Sequence, residues 1–350
     1  MRKVMAIILV VVLVIGLMAG CSPKDSGNGQ AGEENSGEKG KYVMKIAYPN
    51  MPGSPRDLAA QSIKEYVEKE SNGRVEVQTY PSGQLAKDAE LVPSAQVGNI
   101  EMIISPIGFL GTVQPLMGVL DIPFMYPDTN DGMVKFLDSE AARSTMKLME
   151  SKDLVTLDFW FSGLKNFSSN VALREPKDFK GVKFRVMPVP IIVEQFKALG
   201  ATGSNIDFSE VYTALQTGAL DGQENSYDVI YEQKFHEVQK YITESKHASL
   251  IVGVTVSKVW WDKLPEDLRE IISTAVVNGR AICNEKTLEN EKNYKELIKQ
   301  SGTEIIEWNS EDKKAFDYVR EQVVNLYLEK FGDEGKAVYD MVEEEAASYR

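Results

Sequence analysis

Histidine and cysteine are almost missing from this chain, with two of each in 350 residues. His236 and His247 leave little from which to assemble a Ser-His-Asp or Cys-His nucleophile, and neither sits in a motif. No Cys/His spacing suits a metal, no H-E-x-x-H occurs, and no glycine-rich phosphate loop follows a strand. Cys21 and Cys283 cannot build a disulfide framework. Positive charge is also scarce: 39 Lys and Arg face 52 Asp and Glu, for a formal charge of −13. With no basic stripe, nucleic acid is excluded as a partner, because phosphate binding needs a clustered positive surface. The acidity does not exclude a small anionic ligand, since one buried arginine sets its local field whatever the net charge. No cofactor and no metal is expected, and no repeat of 20 to 50 residues is apparent.

What is present begins with an address. Residues 1–20 carry Arg2-Lys3, an apolar run from Val4 to Met18 and small residues up to Cys21, the pattern of a secretory signal. Leu17-Met18-Ala19-Gly20-Cys21 resembles a bacterial lipobox, which implies that Cys21 becomes the lipidated first residue. Residues 21–41 are rich in Gly, Ser, Asn and Glu without apolar periodicity, the composition of a flexible tether. The expected location is extracytoplasmic, anchored to the cell membrane through Cys21. Cys283, in Ala281-Ile282-Cys283, reads as a small buried apolar residue.

From residue 42 onward the chain is long and apolar enough, at 43% hydrophobic, for two packed lobes. Tyr42 to Tyr48 alternates as a strand, Ser54-Pro55-Arg56-Asp57 opens a helix with inner face Ala59, Ile63 and Val67, and Arg74 to Tyr80 is a second strand. This β-α-β start is the signature of a parallel, doubly wound sheet. Asp88 opens the next helix, either as a first-turn acid or on the rim of a site. A strand from Leu154 to Phe161 is expected to break at Gly163, with a polar strand from Lys165 to Asn170 beyond it. Lys165 is either a solvated lysine or a site residue. Thr243 to Val256 suits one or two strands, with His247 a satisfied polar residue or a ligand contact. The longest helical pattern begins at Leu264-Pro265-Glu266-Asp267, with Gly279 as a candidate kink.

The stretch from Val182 to Asn225 places Arg185, Phe208 and Asn225 at ends of regular elements, where side chains can converge on a small ligand. Arg185 is a ligand anchor or a strand-end salt-bridge residue. Phe208, at the head of the Phe208, Val211, Tyr212, Leu215 spacing, is core or cleft wall.

Lys183-Phe184-Arg185-Val186-Met187, Phe208-Ser209-Glu210-Val211-Tyr212-Thr213-Ala214-Leu215-Gln216-Thr217-Gly218 and Asp221-Gly222-Gln223-Glu224-Asn225 closely resemble the extracytoplasmic solute-binding subunits of TRAP transporters, of the C4-dicarboxylate-binding, DctP-like type. The similarity extends to Tyr80-Pro81-Ser82-Gly83-Gln84-Leu85, to Gln233 through Tyr241 and to Trp260 through Pro265. It implies an α/β, two-lobed fold like that of periplasmic binding proteins, with hinge-crossing strands near residues 163 and 250 and a long helix contacting both lobes. Lobe 1 comprises 42–162 plus about 251–290 and lobe 2 comprises 163–250 plus about 291–320, with helices over about 321–350 packing across them.

The implied function is capture of a small organic acid, a C4-dicarboxylate or a sugar acid, and its delivery to the small and large integral membrane subunits of a permease. Arg185 matches the residue that grips the ligand carboxylate, consistent with the planar fork of a guanidinium. Asn225 matches a ligand-contacting asparagine, Phe208 an aromatic wall, Asp88 an acid that takes hydroxyl or ammonium groups, and His247 a peripheral contact. Lys165 stands where many relatives carry a second arginine, Ala86 replaces a glycine and Ser226 a proline. The competing readings are a sensory ectodomain that presents the ligand to a receptor and a surface enzyme acting on acidic sugars.

Overall fold

The computed structural model describes residues 41–350. The signal segment, the lipidation at Cys21 and all of the expected tether except Lys41 lie outside the described residues. The first part of the fold comprises β1 (Tyr42–Ala47), α1 (Pro55–Glu70), β2 (Val75–Tyr80), α2 (Asp88–Gln96), β3 (Met102–Pro106), α3 (Ile107–Val113), α4 (Asn130–Leu137) and α5 (Glu140–Met146). There follow β4 (Leu154–Ser169), β5 (Lys183–Val186), α6 (Pro190–Ala198), β6 (Thr202–Asn205), α7 (Val211–Gln216), β7 (Gly222–Asn225), α8 (Tyr227–Glu232) and β8 (Tyr241–Ser257). The chain ends with α9 (Lys258–Trp261), α10 (Glu266–Gln300), β9 (Glu304–Glu307), α11 (Ser310–Lys314) and α12 (Asp317–Ala347), the last broken at Gly332, where φ is 54° and ψ −138°. No described helix is long and apolar enough to cross a membrane.

The described strands form one mixed sheet in the order β2-β1-β3-β8-β4-β7-β5-β6, with β9 beside β8. The outer groups are parallel, β1 with β2 and β3 on one side and β5 with β6 and β7 on the other. They are joined through β8 and β4, which run antiparallel to each other, to β3 and to β7, while β9 lies parallel to β8. These two strands, 17 and 16 residues long, are therefore the spine of the sheet.

Side chains alternate across the spine as the period of a strand requires. On β4, Phe159 and Phe161 enter the core cluster that also holds Leu120, Phe184 and Val323, whereas Trp160 points to the other face, among Ile46, Ile63 and Ile272. A third cluster gathers Leu215, Ile230, Ile242 and Ile298. α1 starts as its sequence predicts: the Ser54 hydroxyl accepts from the Asp57 amide at 3.3 Å, Pro55 occupies the first turn, and Ala59, Ile63 and Val67 are buried. Helix α10 lies along α1 and β4 and reaches α8.

Two sequence expectations change, at Gly163 and Gly279, and the choice between one and two strands after Thr243 is decided in favour of one. Gly163 does not end its strand: β4 continues to Ser169, and the glycine, at φ 94°, accommodates a shift of register against β8 between Phe161 and Leu164. A β-carbon there would lie 2.6 Å from Cβ of Ser226, so close approach as well as φ demands glycine. β8 is one continuous strand. Gly279 does not kink α10 but lets it sit against Trp160, whose ring would lie 3.0 Å from an added β-carbon.

Candidate binding site

In open α/β sheets the ends of the parallel strands leave an edge where loops can converge on a ligand. Here a narrow cleft is lined by Arg185 from β5, Asn225 from the end of β7, Phe208, Asp88 at the start of α2, Arg56 from the first turn of α1, and Glu224, with Phe109, Met187 and Leu250 among its apolar walls. Both parallel groups of the sheet thus contribute. Four of the six residues expected from sequence, Arg185, Asn225, Phe208 and Asp88, are brought together.

Arg185 is held by burial more than by partners. It is 6% exposed, Nε donates to the Ile206 carbonyl at 3.4 Å, and the guanidinium carbon lies 5.5 Å from the centre of the Phe208 ring. Among the described residues no carboxylate comes within ion-pair distance of it, 4.0 Å. Burial lowers its pKa, with Asp88, Glu224 and Asp207 opposing, yet a guanidinium remains charged. The reading of Arg185 as a strand-end salt-bridge residue therefore fails, whereas Phe208 answers to both of its readings: partly buried, it packs against the third core cluster, edge to Phe235, and turns toward the cation on the cleft side. Asp88 is both a first-turn acid and a cleft residue; burial pushes its carboxyl up to about 6, with Arg185 pulling the other way. The Asn225 amide donates to the Gln223 side chain at 2.5 Å, and its strand pairs with β4 opposite Asn166.

Lys165 and His247 are placed behind this cleft and not on its wall. Lys165 is 2% exposed, with Nζ 3.1 Å from Glu224 Oε1 and 3.6 Å from Asp121 Oδ1, so it is not a solvated lysine. The other oxygen of Glu224 accepts from His247 Nε2 at 2.7 Å and from Gln195 Nε2 at 2.9 Å. Because an ionised carboxylate only accepts, His247 carries its proton on Nε2, and Nδ1 accepts from Ser245 Oγ at 2.7 Å. The imidazole lies flat on Phe167, ring centres 4.0 Å apart. Burial raises the Glu224 pKa, but Lys165 and His247 outweigh it and hold the carboxyl well below its usual range. Burial likewise lowers the His247 pKa and keeps the ring neutral. Lys165 meets the cleft only through Glu224, whose negative charge it offsets.

Arg56 and Glu224 on the cleft wall, and Asp121 beside Lys165, are not among the residues expected from sequence. Glu224 lies inside the quoted Gln-Glu-Asn segment, and its pairing with Lys165, 59 positions away, has no local signal. Arg56 had one, since it follows β1 and heads α1 at the ligand edge of the sheet. Ala86 takes an ordinary backbone conformation with no need of glycine, and Ser226 is the N-cap residue of α8.

Comparison with known proteins fits this geometry. The family described as bacterial extracellular solute-binding protein, family 7, matches residues 46–330. The C4-dicarboxylate-binding periplasmic protein DctP of Rhodobacter capsulatus is 34% identical over 296 residues, 83% of this chain and 88% of the relative. A TRAP periplasmic solute binding protein from Desulfovibrio salexigens, crystallised with orotic acid, superposes with a TM-score of 0.85 at 31% identity, covering 89% of this chain and 100% of the other. The sugar acid binding protein of Advenella mimigardefordensis, in complex with galactonate, gives 0.83 at 27% identity, with coverages of 89% and 99%.

The buried pair is testable by stability. Lys165→Met leaves Glu224 uncompensated and lowers the unfolding free energy by about 3 to 5 kcal/mol in denaturant titrations. Adding Glu224→Gln to that variant restores part of the loss. Strictly additive losses would contradict the coupling.

Proposed function

The chain belongs to the bacterial extracellular solute-binding proteins of family 7, and from that premise we propose that it captures a small organic acid in the cleft at Arg185 and delivers it to the membrane subunits of a TRAP-type permease. Its role is binding and not turnover, as family membership implies. The observation that carries the proposal is a guanidinium 6% exposed, on a cleft wall, with no carboxylate of the described residues within ion-pair reach. A ligand carboxylate supplies the missing charge and two parallel acceptors for the fork. Asn225 fixes the carboxylate's orientation, Phe208 packs over the guanidinium, and Lys165 and His247 serve the ligand indirectly by keeping Glu224 paired.

The same reading gives the protein an extracytoplasmic location, with Cys21 lipidated as its membrane anchor and the small and large permease subunits as partners. Support for the anchor is the Leu17 to Cys21 motif alone. Relatives bind C4-dicarboxylates, orotic acid and galactonate, which makes a carboxylate their common feature.

Two measurements test the cleft. By calorimetry, Arg185→Ala loses about 3 to 5 kcal/mol of binding free energy, roughly 10² to 10³ in affinity or more; near-normal binding would refute the assignment. Asp88 gives a pH signature. Below about 6 its carboxyl is neutral; above that it ionises and competes with the ligand for the charge of Arg185. Affinity therefore falls as pH rises from 5.5 to 7.5, by about tenfold for one pKa unit of coupling. Asp88→Asn flattens the profile, and an unchanged slope in that variant would remove Asp88 from the site.

A further inference from the structure

Helix α10 does at one place what a neighbouring strand does elsewhere. β7 pairs with β4 only from Asn166 to Ser169, and before that point α10 lies against β4. Two amides of β4 donate to side chains of the helix: Phe161 N–H to Asn284 Oδ1 at 3.0 Å and Leu164 N–H to Glu291 Oε1 at 3.2 Å. Seven residues of a helix rise about 10.5 Å and three of a strand about 10 Å, so acceptors at 284 and 291 match donors at 161 and 164. One face of α10 thus follows β4 across the place where the strand loses its own ladder.

That place is the bulge. Ser162 and Gly163 are the only two consecutive residues of β4 without a partner in β8, and Leu164 is the first beyond them to regain one. A change of angle between the two parallel groups of strands is absorbed where the ladder is interrupted. Glu291 occupies the space the glycine leaves: a β-carbon at residue 163 would lie 3.1 Å from its Oε1. Its other oxygen accepts from Asn130 Nδ2, at the head of α4. One carboxylate therefore ties the strand beyond the bulge to both α4 and α10. Burial raises its pKa, and the bonds from Asn130 and Leu164 oppose that shift, as donors to a charged acceptor do. Just before the glycine, Ser162 Oγ accepts from Nε and Nη2 of Arg56, at 3.1 and 2.6 Å, and Arg56 lies on the cleft wall. The conformation of the bulge thus reaches the cleft through Ser162.

We propose that Glu291 is a positioning residue for the cleft: its carboxylate, bonded to Leu164 and Asn130, holds the Gly163 bulge in the bend that brings the two groups of strands around the ligand, and so adds to affinity without touching the acid. This rests on the reading of the cleft as an organic-acid site, whose walls Glu291 does not line. Asn284 has a different task. Its donor, Phe161, precedes the bulge and adjoins the part of β4 whose β8 partners also pair with β3. Its bond therefore fastens α10 to one group of strands and leaves the bend alone.

The test is calorimetry with succinate, orotate and galactonate on the full chain without its signal segment. For each acid that the wild type binds, Glu291→Ala is expected to weaken binding about tenfold, the size of one hydrogen bond to a charged group. Glu291→Gln stays within about threefold of the wild type: its amide oxygen accepts from Leu164, and its nitrogen donates to Asn130 Oδ1, a buried atom with no partner among the described residues, once that side-chain amide turns over. Asn284→Ala lowers the unfolding midpoint in denaturant and keeps affinity within about threefold. Equal losses of affinity in Asn284→Ala and Glu291→Ala would make both residues struts and overturn the proposal, as would unchanged binding by Glu291→Ala. A measurement on the wild type needs no variant to fold. Amide exchange followed by nuclear magnetic resonance is expected to slow roughly tenfold at Leu164 when acid saturates the cleft and to stay unchanged at Phe161. The same change at both amides, or none at Leu164, would overturn the proposal. If none of the three acids binds the wild type, the organic-acid reading fails, and the positioning role, defined by its effect on that binding, fails with it.

Discussion

A guanidinium removed from water without an anion beside it carries a desolvation penalty of several kcal/mol, and the cleft of this protein holds two. Arg185 and Arg56 are 6% and 4% exposed, each fixed by neutral hydrogen-bond acceptors. Such an arrangement is poor as a source of stability and good as a receptor, because a bound anion offsets the desolvation of the guanidinium. The rest of the fold can be read as the means of keeping these charges buried, oriented and unpaired. β5 carries Arg185 into the cleft at its third residue, and the Pro55 start of α1 carries Arg56 into it from the other parallel group of the sheet.

An acid in a wall built for acids needs an explanation, and the buried network supplies one. Glu224 lines the cleft, yet both of its oxygens are engaged from behind by Lys165, His247 and Gln195. Its charge is thereby offset by Lys165, and its geometry is fixed by strands β4 and β8, which carry Lys165 and His247. The spine of the sheet thus serves the site twice, joining the two parallel groups and presenting the countercharge. A lysine suffices at position 165 because its task is to meet two carboxylates, Glu224 and Asp121, as a point charge.

Much of this was legible in the residues. The opening β-α-β unit and the start of α1 follow from local chemistry: alternation, and Pro55 behind Ser54. The convergence of Arg185, Phe208 and Asn225 was legible because each stands at the end of a regular element. What escaped was non-local. That Gly163 would make a bulge instead of a break depends on β8 and Ser226, and that Gly279 would admit Trp160 instead of bending a helix depends on packing. Lys165 and His247, expected as ligand contacts, both meet Glu224, and this pairing could not be read locally because Glu224 is contributed by another strand. Arg56 was passed over as part of a helix start, although its place beyond β1 held the clue.

The central claim is that a ligand carboxylate provides the anion that Arg185 lacks. A crystal structure of the protein with its bound acid tests this most directly. The account predicts a carboxylate with both oxygens within hydrogen-bonding distance of the Arg185 guanidinium and a third contact from Asn225. An acid bound with its carboxylate away from Arg185, leaving that guanidinium on water alone, would contradict it.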